Sequence, residues 1–280
     1  MDIYDHPQNI EIRGKKIAYY RYGKGETILF VHGITTYSFI WKEMIPFFKD
    51  DYEIIMIDIL GTGDSDKALE ENISLKKQAH VLRDFCEHLQ LSKIHLVCHD
   101  IGGGIGQIFS VNWPNLLSDL TLINSVAYNF WPVQPIITMR TPIIRQLAMA
   151  SLDLGMFELI VKRGLYYKEK LNKEWMQLFQ RPMKTASGRK GFLHLAKCLD
   201  NSNLTEIEEE LRNLSLPVLI IRAEADVYLS SSIAEKLHSE IPNSQFVKIK
   251  DAGHFIQIDV PEKVAEHILN FIKPDDKGFK

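Results

Sequence analysis

The sequence predicts an α/β domain built on a mostly parallel central sheet with helices on both faces. Short apolar runs typical of buried strands alternate with longer segments whose apolar residues recur at helical spacing. This alternation is typical of parallel sheets, because each crossover helix covers one face of the sheet. A chain of 280 residues is long enough for one such domain with a sizeable insertion.

The elements are predicted in a regular order along the chain. Runs typical of strands are the hairpin IEIRGKKIAYYRYG and the segments ETILFVHG, YEIIMIDIL, KIHLVCHD, LSDLTLINS, LPVLIIRAEAD and QFVKIKD. Helices are predicted between them, at Ser74–Leu89, at Gly102–Trp113, from Ser231 onward and at Pro261–Ile272.

The alternation is interrupted between residues 126 and 213, where bulky apolar residues occur in a helical pattern without a buried-strand pattern. We therefore predict a core domain in two parts, residues 1–125 and 214–280. A helical lid, residues 126–213, is inserted after the sixth strand.

The composition excludes several functional classes. The net charge of -3 gives no basic excess for nucleic acid or for an anionic membrane. No apolar run approaches the roughly 20 residues that span a bilayer, and the first residues do not resemble a signal peptide. Three cysteines without metal-ligand spacing predict free thiols and a cytoplasmic location.

The segment VCHDIGGG, residues 97–104, has the layout of a nucleophile elbow with Asp100 at its centre. A strand ends at this point and a helix begins in the glycines, so the central residue is forced into a strained conformation and needs small neighbours. Cys98, Gly102 and Gly103 meet that need. The helix N-terminus also favours a carboxylate, which leaves a simple N-cap as the alternative role of Asp100.

Two backbone amides are predicted to form an oxyanion hole beside Asp100. The His32-Gly33 pair follows a buried strand directly, so the loop after it can aim the Ile34 N–H at the site. The Ile101 N–H is the second predicted donor.

An acid and a histidine follow later strands. Asp226 comes just past LPVLIIRAEA, and His254 follows the last strand in KDAGHF. The chain order is therefore nucleophile, acid, histidine. With the turn DILGTGDS, residues 58–65, these motifs resemble the α/β-hydrolase fold superfamily over essentially the whole chain. The HD pair at the elbow resembles its aspartate-nucleophile branch, the epoxide hydrolases and haloalkane dehalogenases.

The resemblance implies a hydrolase with an Asp100–His254–Asp226 triad. Asp100 would form a covalent alkyl ester, and His254, oriented by Asp226, would activate the water that hydrolyses it. No cofactor or metal is expected. The expected substrate is a small or medium apolar molecule, and the expected state is a monomer or homodimer.

The subtype stays open at this level. Haloalkane dehalogenases hold the halide with side-chain donors, whereas the matching positions here are Ile34 and Ile101. The arginines of fluoroacetate dehalogenases after the nucleophile are also missing. Epoxide hydrolases use lid tyrosines, sometimes with a histidine, although Thr35 stands where their loop has proline. We rank epoxide opening slightly ahead, and the lid or pocket candidates are Tyr128, Trp131, Tyr166, Tyr167 and His194.

Several alternatives remain at this stage. Each lid candidate could be a packing residue, and the whole chain could be a non-catalytic ligand-binding homologue or an unusual lyase. Asn124 stands where some relatives keep their acid but cannot supply the charge. His32 is expected to hold the loop by hydrogen bonds, and His99 to contact the sheet's edge. Two acidic residues are expected on surface turns, Glu224 (a fallback acid) and Asp251.

Overall fold

A computed structural model describes residues 7–132, 136–137 and 155–273. Its eight strands are β1 (Gln8–Ile12), β2 (Lys15–Gly23), β3 (Glu26–Val31), β4 (Tyr52–Ile57), β5 (Ile94–Asp100), β6 (Leu117–Ser125), β7 (Val218–Ala223) and β8 (Ser244–Ile249). Its α-helices are α1 (Leu75–His88), α2 (Ile101–Asn112), α3 (Phe157–Arg163), α4 (Lys173–Gln180), α5 (Ala186–Cys198), α6 (Ser202–Thr205), α7 (Glu208–Arg212), α8 (Ser231–Glu240), α9 (Ile256–Asp259) and α10 (Pro261–Ile272).

The strands form one sheet in the order β1-β2-β4-β3-β5-β6-β7-β8. Strand β2 pairs antiparallel with both β1 and β4. Every pairing among β3 to β8 is parallel. All seven residues of β5 are buried, as expected of a parallel strand covered on both faces. The predicted mostly parallel sheet with helices on both faces is confirmed.

Local signals explain where the helices begin. The Ser74 side chain accepts a hydrogen bond from the Lys77 N–H and caps α1. Pro261 occupies the first turn of α10, where its missing N–H leaves no hydrogen bond unmade. Helices α1, α2 and α8 contribute to one large apolar cluster, and α10 contributes to a second, so the sheet has an apolar core on each face.

The described part of the insertion between β6 and β7 contains helices joined by turns and no strand, and residues 133–135 and 138–154 lie outside it. The use of residues 126–213 as a lid stays a prediction. Phe179 of α4 packs between Phe39 and Phe255 of the core, with ring centroids 4.9 and 5.0 Å away. At Gly191 of α5, a Cβ would lie 2.6 Å from the Gly61 carbonyl oxygen. This close approach joins the insertion to the core. Among the described residues, no helix combines the length and the apolar character that crossing a membrane requires.

Candidate active site

Asp100 occupies a strained elbow between β5 and α2. Its φ is 55°, in the left-handed region that non-glycine residues rarely adopt. Glycines make this turn possible, because a Cβ on Gly102 would lie 2.5 Å from the Val31 carbonyl oxygen. A Cβ on Gly103 would lie 2.0 Å from the Ser125 Oγ. The turn therefore presents the Asp100 side chain at the carboxyl end of the sheet.

The two carboxylate oxygens of Asp100 have different surroundings. Oδ1 accepts a hydrogen bond of 2.9 Å from the Ile34 N–H, and the Ile101 N–H also donates to this carboxylate. Oδ2 lies 3.9 Å from Nε2 of His254. The structure therefore brings Asp100, the two predicted amide donors and the histidine together. A Cβ on Gly33 would lie 2.7 Å from Oδ1, so the loop can approach this closely only with glycine there.

Asp226 orients His254 and is itself held by several donors. Its Oδ2 accepts from Nδ1 of His254 at 3.0 Å and from Nη1 of Arg222 at 2.7 Å. Its Oδ1 accepts from the backbone N–H groups of Tyr228 at 2.8 Å and Leu229 at 3.2 Å. The Nδ1–H of His254 thus donates to Asp226, which leaves Nε2 facing Asp100.

Burial and mutual charge set the protonation states in the site. Burial raises the pKa of Asp100 above its usual value, although His254 and two backbone N–H groups oppose this. Burial disfavours the imidazolium of His254, but the charges of Asp226 and Asp100 outweigh it and raise the pKa of that histidine. The pKa of Asp226 is lowered despite burial, because His254 and Arg222 stabilise the carboxylate. Asp226 is therefore ionised throughout the neutral range.

Two residues that sequence reasoning gave other roles clamp the loop of His254. Nε2 of His99 donates to the His254 carbonyl at 2.9 Å. Nδ2 of Asn124 donates to the same carbonyl at 3.0 Å and to that of Gly253 at 3.2 Å. The expectation that His99 contacts the sheet's edge is wrong, because β5 is a central strand and His99 is fully buried. No local sequence signal marks these partners, which are 155 and 130 residues from His254.

A third residue, unnoticed in the sequence, joins the histidine loop to the insertion. The carboxylate of Asp259, which is 1% exposed, accepts from the N–H groups of Gly253 at 2.8 Å, Tyr166 at 2.9 Å and Tyr167 at 3.0 Å. Asp259 therefore ties the chain after α3 to the segment that carries His254.

The lid candidates are distributed over several surroundings. Tyr166 is 44% exposed and bonds to Asp251, and its ring packs against Tyr167. Lys236 of α8 lies 3.4 Å from the ring centroid of Tyr128, so that ring packs against the core.

His194 and Trp131 have different surroundings again. Nε2 of His194 lies 2.6 Å from the Glu71 carbonyl at the side of a 650 Å³ cavity lined by α5 and the segment before α1. The indole N–H of Trp131 is buried and has no hydrogen-bond partner among the described residues. A pocket role for all five candidates stays a prediction.

The remaining residues with expected structural roles lie as predicted. His32 is buried, and its Nε2 accepts from the Ile59 N–H at 3.2 Å, which fixes the loop after β3. In the turn after β4, the Asp58 carboxylate accepts from the N–H groups of Ser38 and Asp64. Glu224 and Asp251 are exposed.

Asp100, Asp226 and His254 follow one another in the chain and lie at the carboxyl ends of strands in a mostly parallel sheet. This order and placement are typical of an alpha/beta hydrolase. Residues 26–261 match the model of the alpha/beta hydrolase fold family. The chain belongs to that family.

Similar proteins span nearly the whole chain. The uncharacterized hydrolase YugF of Bacillus subtilis is 26% identical, covering 89% of this chain and 90% of its own. Haloalkane dehalogenase 2 of Mycobacterium tuberculosis is 25% identical, covering 91% and 90%. The structure of the epoxide hydrolase CorEH superposes with a TM-score of 0.83 at 17% identity, covering 95% of this chain and 98% of that one. At that identity, the superposition establishes the fold alone.

Proposed function

We propose that the protein hydrolyses a small or medium apolar substrate through a covalent alkyl ester on Asp100, in the manner of an epoxide hydrolase. The observation that carries this proposal is the asymmetric Asp100 carboxylate. Oδ1 is held by the Ile34 N–H at 2.9 Å and the Ile101 N–H donates to the same carboxylate, whereas Oδ2 faces Nε2 of His254 at 3.9 Å, beyond hydrogen-bond distance. Oδ2 is therefore the attacking oxygen.

The first half of the reaction needs no base. The carboxylate is nucleophilic when ionised, so Oδ2 attacks a saturated carbon and the bond from that carbon to the leaving oxygen breaks. The electron pair of that bond goes to the leaving oxygen, which a proton donor then neutralises. Asp100 becomes a neutral ester.

The second half uses His254 and the two amides. Nε2 takes a proton from a water molecule, and the resulting hydroxide attacks Cγ of Asp100. Negative charge develops on Oδ1, to which the Ile34 N–H already donates, and the Ile101 N–H donates to the same carboxylate. The tetrahedral intermediate then collapses and the bond between Cγ and Oδ2 breaks, while the bond between Oδ2 and the substrate carbon stays. The product leaves as an alcohol that carries Oδ2 and takes the proton from His254, and the water oxygen remains in the Asp100 carboxylate.

The haloalkane dehalogenase reaction is the second candidate. The named relative supports it, and so does the buried Trp131 indole N–H, a donor for an anion that has no partner in the described part of the chain. Against it, Ile34 and Ile101 offer only backbone donors near Asp100. The intact triad argues against a non-catalytic binding role. Three free cysteines support a cytoplasmic location.

A trapping experiment tests the proposal. The variant His254→Gln removes the base, so the ester on Asp100 should accumulate when the protein meets a panel of epoxides and haloalkanes. Mass spectrometry of the peptide that contains Asp100 distinguishes the two chemistries. An epoxide adds its whole mass as a hydroxyalkyl ester, whereas a haloalkane adds its alkyl group without the halogen.

Two controls sharpen the result. His238→Gln changes a histidine that bonds to Ser244 on the surface, and it should turn over without trapping. In a single turnover of the unsubstituted enzyme in ¹⁸O-water, the label should enter the Asp100 carboxylate rather than the product. Labelling of another residue, or ¹⁸O directly in the product, would refute the aspartate nucleophile.

A further inference from the structure

A buried arginine lies directly behind the acid of the triad. Arg222 is the fifth residue of β7 and only 4% exposed. Besides Asp226 Oδ2, it donates from Nη2 to the carbonyls of Leu229 at 2.6 Å and Asp226 at 3.2 Å. Burying a guanidinium is costly unless it is paired, so its position at the triad requires an explanation.

Arg222 and His254 share one oxygen atom. Nη1 of Arg222 lies 2.7 Å from Oδ2 of Asp226, and Nδ1 of His254 lies 3.0 Å from the same atom. The positive charge is therefore within about 6 Å of the imidazole, close enough to act strongly in a buried site. The shared oxygen also fixes the direction in which Asp226 holds the histidine ring.

The charges around His254 show why a cation is needed there. Asp100 and Asp226 are both carboxylates, whereas a serine nucleophile would be neutral. His99 faces the ring at 4.8 Å between centroids and is neutral, because burial lowers its pKa to about 3. Tyr228 faces it at 5.3 Å and is also neutral, because burial raises its pKa to about 12. Arg222 is thus the positive charge on the acid side of the ring.

We propose, resting on the function proposed above, that Arg222 is a positioning residue that keeps His254 neutral once Asp100 is esterified. In the resting enzyme two carboxylates favour the imidazolium, which cannot take a proton from water. Esterification removes the charge of Asp100. His254 then faces an Asp226–Arg222 pair whose charges cancel, so Nε2 is free to accept the proton of the attacking water.

The test measures the protonation of His254 without turnover. Histidine labelled with ¹⁵N is titrated by NMR in the Asp100→Asn background, which imitates the neutral ester; mass spectrometry checks that residue 100 remains asparagine. Adding Arg222→Met should raise the pKa of His254 by about one to two pH units, from a unit charge at about 6 Å. Arg222→Gln, which keeps hydrogen-bonding capacity but not charge, should raise it similarly.

Two further variants serve as controls. Arg222→Lys keeps the charge and should titrate closer to the parent than to Arg222→Met. Arg212→Met removes a surface arginine that bridges Glu208 and Glu240, and it should leave the His254 titration unchanged. If Arg222→Met does not fold, the comparison of the Gln and Lys variants decides the same question.

The outcomes separate this inference from the proposed function. The inference is overturned if a folded neutral variant titrates within about 0.3 pH units of the parent. A shifted titration with no labelling of Asp100 by any substrate would support the effect of the Arg222 charge on His254 and refute the proposed function. Labelling of Asp100 together with an unshifted His254 titration would support the proposed function and overturn the inference about Arg222. In single turnovers, Arg222→Gln should move the acid limb of ester hydrolysis upward and change alkylation less.

Discussion

Replacing Asn124 by alanine should destabilise the protein strongly although the substitution is small. The side chain is 2% exposed and bonds to two segments far from it in sequence. Its Oδ1 accepts from the Ala223 N–H at 2.9 Å, and its Nδ2 donates to the carbonyls of Gly253 and His254. Asn124 therefore connects the end of β6 to the end of β7 and to the histidine loop.

The magnitude follows from the groups left without partners. The Ala223 N–H and the Gly253 carbonyl each lose the bond made by Asn124, at about 1–3 kcal/mol for a buried group. The His254 carbonyl keeps its bond from His99 and adds little. The φ of 40° at position 124 costs alanine about 1 kcal/mol more than asparagine. We expect a loss of about 4 kcal/mol in the free energy of unfolding.

Urea unfolding followed by circular dichroism measures this loss. Asn112→Ala is the control, because Asn112 is exposed and its Nδ2 makes a single bond, to the Ile108 carbonyl. Its loss in the free energy of unfolding should stay below about 1 kcal/mol. If the free energy of unfolding of Asn124→Ala lies within about 1 kcal/mol of the parent value, Asn124 does not connect the ends of β6 and β7 to the histidine loop in the way argued above.

Three other predictions concern pH and backbone space. The raised pKa of His254 predicts that ester hydrolysis is lost as pH falls and the histidine becomes protonated. The midpoint of this loss in pre-steady-state rates should lie below the midpoint of the His254 titration measured by NMR in the resting enzyme, because esterification removes the charge of Asp100. Burial disfavours protonated His95, but Asp119 at 2.6 Å and Glu26 outweigh it and raise the pKa of that histidine. The stabilisation by protonated His95 is complete below the ordinary histidine pKa near 6.5 and is lost as pH rises through the pKa of His95 in the folded protein. In urea titrations, His95→Phe should therefore lower the free energy of unfolding more at low pH than at high pH. Gly103→Ala places a Cβ 2.0 Å from the Ser125 Oγ and should cost about 1–3 kcal/mol in thermal unfolding. Gly14→Ala meets no neighbour but has a φ of 73°, so it should cost only the strain of that conformation, about 1 kcal/mol.

The core half of the site was predictable because it depends on strand ends. Parallel strands place their carboxyl ends at one edge of the sheet, so Asp100, Asp226 and His254 were expected to meet, and the measured distances bring them together. The supporting residues were not predictable in the same way. In the sequence, Arg222 is a single charged residue within an apolar strand, and Asp259 lies in a short helix after His254. Their roles depend on partners that only the folded chain brings near.

One half of the proposed reaction uses residues at the strand ends, which the sequence predicts, and the other half uses side chains whose partners are known only from the folded chain. Ester hydrolysis uses the amides of Ile34 and Ile101 and the ring of His254, which all belong to the core. Recognition of the leaving group needs a donor on the opposite side of the substrate, because Ile34 and Ile101 have no polar side chains. We expect that donor to come from the insertion, where helical periodicity predicts helices but not the direction of a ring. Tyr166 illustrates the difference: its N–H bonds to Asp259 and its side chain bonds to Asp251. Trp131, whose buried N–H lacks a partner in the described chain, is therefore the residue to vary first when the leaving group is sought.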